Sequence, residues 1–279
     1  MIKAGLMLML LLSPLLAQRI IALSPAINEI LFALGKGGDI VGNIAYCDYP
    51  KAAQRIPKVG DYFSISLERI LQQKPDLVIM GKNNLPLKPK LHTLGIQTLD
   101  IASTSLNALQ DSILNIGTHT NSSNKANALV KEIQSALQKS QGILKEKKIL
   151  IVFGNNPDPK SGIYVSGNHL YFADIICASG NQNAYKGKYN RQPILSLEGL
   201  MATDADIIII LSPRTAKTKN KSTTQLLSAW YTLPIPAARY KTIYLMQEPY
   251  AGIPSQRVSL FIQDFIKVLS DAKDKLPRL

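Results

Sequence analysis

The chain has 279 residues, of which 46% are hydrophobic and 18% are charged. This composition is typical of a folded globular protein and excludes a largely disordered chain, and the length suits two medium-sized domains. The formal net charge is +13, but the basic residues are scattered, and no basic cluster is interleaved with aromatic residues. This argues against a nucleic-acid-binding groove and favours a solvated basic surface.

Residues 1–17 have the pattern of a secretory signal peptide. Lys3 gives a short basic start, Leu6 to Leu16 is almost wholly apolar, and Ala17 ends the run with a small residue. Because the run is short for a transmembrane span, we predict cleavage near Ala17 and export as a soluble protein. A retained membrane anchor is the alternative. No Cys directly follows Ala17, so a lipid anchor is not predicted.

The chain has only two cysteines, Cys47 and Cys177, although export leads to an oxidising compartment. They fall in different halves of the chain, where a disulfide between them would lock the halves together. We therefore expect both cysteines to be free, with Cys177 buried on a helix.

Strands and helices alternate along the first half of the mature chain. Apolar runs predict the strands, and Ser-Pro starts, helical spacing of apolar residues and Gly stops predict the helices. The predicted elements are, in chain order, a strand over 19–23, a helix over 24–35, a strand over 40–42, a helix from Ser66, a strand over 77–80, a helix ending at Gly95 and a strand over 96–99. This alternation is typical of α/β proteins with parallel sheets.

A single long helix is predicted at 122–147, where the alternation stops. Apolar residues recur there at helical spacing, at Ala126, Leu129, Ile133, Leu137 and Leu144. A helix of this length spans about 37 Å, more than one lobe needs. We interpret it as a rod that connects two lobes; an ordinary long domain helix is the alternative.

The alternation restarts after this helix. The predicted elements are a strand over 148–153, a helix over 170–179, a helix and strand beginning at Ser196, a strand over 243–246 and a closing helix over 256–269. We therefore predict an α/β protein with two Rossmann-like lobes, mostly parallel sheets and a ligand cleft between the lobes. The predicted domains are the N-terminal lobe at 18–121, the connecting helix at 122–147 and the C-terminal lobe at 148–279.

One segment occurs twice in the chain. Residues 66–80 recur as 196–210, in register and without a gap, and each copy contains a Ser-Leu-Glu helix start, an Asp and a fully apolar run. Such a run is typical of a buried parallel strand. The repeat predicts two similar lobes and places one carboxylate, Glu68 or Glu198, at the same position on each lobe.

The sequence contains no recognisable catalytic machinery. Residues 154–161 have the spacing of a phosphate-binding loop, but Pro159 stands where that loop needs Gly. The three histidines are scattered without metal-ligand spacing, and there is neither a Gly-x-Ser-x-Gly elbow nor a Cys-His pairing. We therefore predict no enzyme activity, no metal held by the protein alone and no resident cofactor.

Aromatic and basic residues lie at corresponding strand-to-helix junctions in both halves. In α/β sheets the loops at the carboxyl ends of the strands line the ligand crevice. Tyrosines in these loops would offer a large, flat ligand both an apolar face and a hydroxyl group; partial burial in the core is the alternative for any one of them. The predicted ligand contacts are Tyr46, Tyr62, Arg191, Tyr250 and Arg257.

Residues 19–29, 46–50, 66–78 and 196–198 together resemble the periplasmic substrate-binding proteins of iron-chelate and cobalamin ABC importers. The resemblance covers nearly the whole mature chain. It is closest to the cobalamin-binding branch, chiefly through the Ser-Pro-Ala start and the Tyr-Cys-Asp-Tyr-Pro loop. It implies two α/β lobes joined by one long helix, a ligand in the cleft and modest closure on binding.

The resemblance also implies roles for individual residues. In this family the glutamates of the two Ser-Leu-Glu-type motifs dock onto arginines of the permease, which here implies docking by Glu68 and Glu198. The Asp-Tyr-Pro loop implies a ligand contact by Tyr46. Cobalamin binders often place Trp beside the ligand at positions that look here like Tyr62 and Gly81. This chain has no Trp at either position. Haem, a ferric siderophore and a small nickel chelate therefore stay open as alternatives to cobalamin.

From this resemblance we expect a monomeric receptor in the periplasm. It would deliver a metal chelate, with cobalamin as the first choice, to the permease dimer of an ABC importer, and it would bind no nucleic acid. The alternative class is an exported enzyme acting on the same kind of ligand, which would need a catalytic residue in the cleft.

Overall fold

The computed structural model describes residues 18–154, 162–188, 192–213 and 220–277, so the predicted signal peptide lies outside the described residues. Within these ranges, no helix is both long enough and apolar enough to span a membrane. The described chain forms two α/β lobes, each built around its own sheet. The predicted fold class is therefore confirmed.

The N-terminal lobe is built from four strands and four α-helices. These are, in chain order, β1 (Ile20–Ala22), α1 (Pro25–Ala33), β2 (Ile40–Asn43), α2 (Leu67–Gln72), β3 (Leu77–Gly81), α3 (Lys88–Thr93), β4 (Gln97–Ile101) and α4 (Leu106–His119). The strands are parallel and lie in the order β2-β1-β3-β4. The sheet is covered on both faces, which explains why β1 and β3 are continuous apolar runs.

The connecting helix α5 spans Ser123–Ser140 and is shorter than the segment 122–147 predicted for it. It ends because Gln141 is extended and Gly142 has a φ of +73°, a left-handed conformation that Gly adopts without strain. Its 18 residues span about 27 Å. The sequence pattern predicted too late an end for the helix, because Leu144 keeps the helical spacing of apolar residues beyond this Gly.

The C-terminal lobe contains a six-stranded sheet. Its elements are β5 (Lys148–Phe153), β6 (Ile163–Val165), α6 (Tyr171–Ala178), β7 (Gln182–Asn183), β8 (Ile194–Leu195), α7 (Leu197–Ala202), β9 (Ile207–Leu211), α8 (Thr223–Leu227), α9 (Pro236–Arg239), β10 (Ile243–Met246) and α10 (Val258–Lys275). The strand order is β10-β9-β5-β6-β8, with β7 beside the start of β5. All neighbours are parallel except β6, which is antiparallel to both β5 and β8.

One hydrophobic core spans both lobes. Helix α5 packs against α4 of the N-terminal lobe and against α6 and α10 of the C-terminal lobe. Ile133, Phe172 and Phe261 from these helices belong to a single buried cluster with residues of both sheets. The opposite face of each sheet has its own smaller cluster, around Val78 in one lobe and Trp230 in the other. The lobes are therefore joined by a packed helical layer and not by α5 alone.

A buried ion pair also joins the lobes. The carboxylate of Glu29, on α1, is 2% exposed and accepts a hydrogen bond from Nε of Arg257 at 2.9 Å. A terminal guanidinium nitrogen of Arg257 and the hydroxyl of Ser255 donate to the same carboxylate. This bidentate arrangement satisfies two charges that burial would otherwise make costly. It fixes the start of α10 against the N-terminal lobe.

One further hydrogen bond crosses between the lobes, and a second joins the C-terminal lobe to the connecting helix. The backbone N–H of Leu106 donates to Asp174 of α6 at 2.6 Å, so a carboxylate of one lobe caps a helix of the other. The hydroxyl of Ser259, on α10, donates to Glu132 of α5 at 2.8 Å.

Arg257→Met should lower the free energy of unfolding by about 3–5 kcal/mol, because it leaves the buried Glu29 carboxylate unpaired. The double variant with Glu29→Gln should recover part of this loss, since neither charge then stays buried. Urea unfolding followed by circular dichroism measures both effects. Lys267→Met, which breaks an exposed pair with Asp264, is the control and should change stability little. An equally small effect of Arg257→Met would contradict this account of the lobe contact.

The two cysteines differ in exposure. Cys177 is exposed, so its predicted burial is wrong. Helix α6 buries Phe172, Ile175 and Ile176, and Cys177 lies outside that face because each helical residue turns by about 100°. Cys47 is buried, and burial raises the pKa of its thiol to about 11. Both cysteines are free.

Ellman's reagent at about pH 8 should react quickly with one thiol of the native protein, because only Cys177 is accessible, and a thiol with a raised pKa stays protonated. The second thiol should react only after unfolding in guanidinium chloride. Cys177→Ser should abolish the fast phase. Two equally fast thiols in the wild-type protein would contradict the burial of Cys47.

Candidate ligand cleft and repeated carboxylates

A cavity of about 430 Å³ opens at the carboxyl ends of β1, β3 and β4. The loops after these strands form its walls, and Tyr62 contributes from the segment before α2. Parallel α/β sheets bind ligands at this edge, and the volume is in the range of small-molecule pockets. A Cβ atom placed on Gly81 meets nothing within 4 Å. This position, for which the resemblance implies an aromatic residue in cobalamin binders, therefore leaves open space.

The C-terminal lobe presents the corresponding edge of its own sheet. There β5 and β9 lead into residues 155–161 and 214–219, which lie outside the described residues. Arg191, one of the predicted ligand contacts, also lies outside them. The described walls of the cleft therefore belong to the N-terminal lobe.

Tyr46 and Tyr62 form a stacked pair beside this cavity. Their ring centroids are 5.9 Å apart with an interplanar angle of 25°, and the side chains are 64% and 48% exposed. Tyr46 has a φ of +71°. A left-handed conformation is uncommon for a bulky residue and is typically found at functional sites. The two predicted ligand contacts from the N-terminal lobe are thus brought together with a broad aromatic surface facing solvent.

A buried amide network holds the loop that carries Tyr46. The side chain of Asn28 donates to the carbonyl of Tyr49 at 2.9 Å, and the side chain of Asn43 donates to that of Asn28 at 3.0 Å. Lys58 donates to the amide oxygen of Asn43 at 2.7 Å. Sequence reasoning missed these residues. The sequence signal that could have indicated them is an Asn in each of two otherwise largely apolar elements, Asn28 in α1 and Asn43 at the end of β2.

The turn that follows Tyr62 is fixed by a carboxylate. Oδ1 of Asp61 accepts hydrogen bonds from the backbone N–H groups of Phe63 and Ser64, both at 2.8 Å. These two bonds lower the pKa of the Asp61 carboxyl group. Burial raises the pKa of Tyr62 to about 12. At neutral pH, Tyr62 therefore offers a neutral ring and hydroxyl group.

Neither Tyr250 nor Arg257 lines the cavity beside the Tyr46–Tyr62 pair. Tyr250 lines a separate hollow of about 670 Å³ beside the edge strand β10, and its hydroxyl donates to Asp264 at 2.6 Å. Arg257 is 9% exposed and bound to Glu29, with its guanidinium 3.9 Å from the ring centroid of Tyr49. Both side chains thus have internal partners: that of Tyr250 is within the C-terminal lobe, and that of Arg257 is in the N-terminal lobe. Ligand contact by either residue stays a prediction.

The two Ser-Leu-Glu segments have the same local structure. Ser66 and Ser196 are N-caps whose hydroxyls accept from backbone N–H groups of Arg69 and Gly199, both at 3.2 Å. Each Glu is therefore the second residue of its helix. The position eight residues after each Ser has a left-handed backbone, with φ values of +45° at Lys74 and +46° at Asp204. The sequence repeat is thus a repeat of backbone structure.

The repeated Asp residues also have a structural role. Asp76 accepts a hydrogen bond from the backbone N–H of Arg19, and Asp206 accepts one from that of Lys148, both at 2.8 Å. Each Asp thereby ties the start of one central strand to its neighbour. The repeated Ser and Asp are explained by helix capping and strand pairing.

The repeated Glu residues lie in the first turns of their helices, where the helix dipole favours a carboxylate; this structural role is the alternative to docking. Glu68 and Glu198 are both exposed, and among the described residues neither forms an ion pair. Glu68 accepts only a long bond from Gln72, at 3.4 Å. Hydrogen bonds from its own backbone N–H and from Ser196 lower the pKa of Glu198, so its carboxylate is charged at neutral pH.

The described parts of the chain contain no cluster of three or more His, Cys, Asp or Glu residues that could hold a metal ion.

Two α/β lobes with an aromatic cleft at the carboxyl ends of parallel strands are the architecture of a ligand-binding protein. The family model described as "Periplasmic binding protein" matches residues 20–250, and the chain belongs to this family. The vitamin B12-binding protein of Yersinia pestis (strain Pestoides F) is 26% identical over 199 residues, which are 70% of this chain and 69% of that protein.

Solved structures share the fold. The periplasmic vitamin B12 binding protein BtuF of Vibrio cholerae matches with a TM-score of 0.76 and 21% identity, over 92% of this chain and 98% of that chain. The periplasmic heme binding protein HutB of Vibrio cholerae matches with a TM-score of 0.74 and 22% identity, over 91% of this chain and 99% of that chain.

Proposed function

We propose that the protein is a receptor of the periplasm that binds a metal chelate between its lobes and delivers it to the permease dimer of an ABC importer. The observation that carries this proposal is the Tyr46–Tyr62 pair, stacked beside a cavity at the edge where α/β sheets bind ligands. Export is supported by the signal-peptide pattern at 1–17 and by the family.

The chemistry of the cleft favours a large ligand with a flat ring. Two aromatic faces with their hydroxyl groups suit a corrin or porphyrin, which has apolar faces and polar edges. Cobalamin is the first choice because a relative is a vitamin B12-binding protein. Haem is the second because heme binding proteins share the fold.

Tyr46→Ala and Tyr62→Ala should each weaken binding of the native ligand by about 1–3 kcal/mol, because each removes an aromatic face. This corresponds to a roughly 5- to 150-fold rise in Kd. Titration calorimetry with cyanocobalamin and, separately, with haemin measures the effect and shows which compound binds.

Tyr240→Ala is the matched control, because Tyr240 is a partly buried tyrosine that lines neither this cavity nor the hollow beside Tyr250, and it precedes β10. It should leave the Kd unchanged. If both variants in the cleft bind cyanocobalamin and haemin as the wild-type protein does, the ligand site lies elsewhere.

The two exposed glutamates lie on the same edge as the cleft. In a parallel α/β unit each helix runs antiparallel to the strands, so the starts of α2 and α7 lie at the carboxyl ends of their sheets. Glu68 and Glu198 therefore flank the cleft, one on each lobe. A two-fold-related permease would present one basic cluster to each lobe, and such paired charges would fix orientation as well as attraction.

Glu68→Ala combined with Glu198→Ala should weaken binding to the permease by roughly 30-fold or more, since each removes a charge from a desolvated pair. Ligand affinity and folding should change little, because both side chains are exposed. Biolayer interferometry with the importer in nanodiscs measures the first effect, and calorimetry with cyanocobalamin measures the second.

Asp111→Ala combined with Asp274→Ala removes the same charge from exposed helix positions of α4 and α10. This control should bind the permease normally. Wild-type permease binding by the double Glu variant would rule out the docking role.

A further inference from the structure

Exposed apolar side chains immediately precede both Ser-Leu-Glu helices. Phe63 is 98% exposed and lies three residues before Ser66, and Ile194 is 58% exposed and lies two residues before Ser196. Docking such a side chain against a partner removes its apolar area from water, which lowers the free energy of the complex.

The exposure of Phe63 is imposed by a fixed turn. Asp61 holds the backbone N–H groups of Phe63 and Ser64, and the N–H of Asp61 in turn donates to the carbonyl of Ser64 at 2.9 Å. Gly60, just before the turn, has a φ of +153°, and a Cβ atom there would lie 2.2 Å from the carbonyl oxygen of Ser64. Because the turn is ordered in advance, docking through Phe63 would lose little conformational entropy.

The same turn separates the ligand side from the Glu68 side. Tyr62 lines the ligand cavity, and Phe63 is not among the residues that line it. Asp61 and Ser64, which flank the two aromatic residues, line a surface depression of about 720 Å³ together with Ser66 and Glu68. Phe63 lines neither hollow; it lies between Tyr62, which lines the cavity, and Ser64, which lines the depression that contains Glu68.

The C-terminal lobe has an apolar patch at the corresponding place. Ile194 on β8 pairs with Tyr164 on β6, and Tyr164 is 48% exposed. Residues directly opposite each other in an antiparallel pair share a face, so the two side chains form one exposed patch. Strand β8 leads directly into the N-cap of α7, so the patch adjoins the segment that carries Glu198.

We propose that Phe63 on one lobe and the Ile194–Tyr164 pair on the other are apolar anchors of a single partner surface, and that their partner is the importer permease. This inference rests on the proposed function, because it takes Glu68 and Glu198 as the charged part of the same surface. Interfaces derive most of their energy from a few buried apolar anchors, whereas charges at the rim set orientation. Apolar anchors beside both carboxylates fit a partner with two-fold-related pockets, each next to a basic cluster.

The test measures permease binding and ligand binding for the same variants. Phe63→Ala and Ile194→Ala should each weaken binding to the importer in nanodiscs by roughly 5- to 30-fold, the effect of truncating an interface hot spot. Their Kd for cyanocobalamin or haemin, whichever binds the wild-type protein, should stay unchanged. Leu94→Ala is the matched control. Leu94 is 50% exposed but lies three residues before β4, at the opposite edge of the sheet, and this variant should bind the permease normally.

Three results would overturn the inference. If both anchor variants bind the permease normally while the double Glu variant does not, the carboxylates alone account for docking. Weaker ligand binding by Phe63→Ala would assign Phe63 to the cleft. Normal permease binding by the anchor variants and the double Glu variant alike would remove the docking surface altogether, and the proposed partner with it.

Discussion

The helical layer that both lobes share is the constraint on which the rest of the structure depends. Helices α4, α5, α6 and α10 form one apolar core with residues of both sheets, and the Glu29–Arg257 pair lies buried where α1 meets the start of α10. A hinge motion between the lobes would have to expose this core and separate two buried charges, both of which are costly. We therefore expect the lobes to keep a nearly constant separation.

A fixed separation of the lobes would also fix the distance between the two repeated segments. If the lobes keep their separation, two exposed carboxylates at equivalent helix positions form a fixed pair, suited to a partner with its own two-fold symmetry. The cleft between them can then present a preformed aromatic surface instead of assembling one on binding. Tyr46 shows this preorganisation, since its backbone is left-handed and the amide network of Asn28 and Asn43 holds its loop at the carbonyl of Tyr49. Preformed surfaces bind at a lower entropic cost.

Local pattern predicted most of the fold but only part of the site. The repeat at 66–80 and 196–210 predicted two equivalent helices and buried strands because capping, helical spacing and apolar runs are local properties. Arg257 was predicted as a ligand contact from its position in a junction, yet its Glu29 partner is 228 residues away, a distance that no local pattern spans. The exposure of Cys177 depends on which face of α6 packs against the core. The position of Arg191 is outside the described residues.

The most direct test of the fixed lobe separation is a distance between the two carboxylate positions. Glu68→Cys and Glu198→Cys in a Cys177→Ser background, labelled with nitroxides, allow this by pulsed electron paramagnetic resonance, since Cys47 is buried. The shared helical layer predicts one narrow distance in the free protein, which saturating cyanocobalamin or haemin changes by less than about 2 Å. A broad or two-population distance distribution in the free protein would show that the lobes move independently. Such a distribution, or a larger change in distance on binding, would contradict the fixed separation of the lobes.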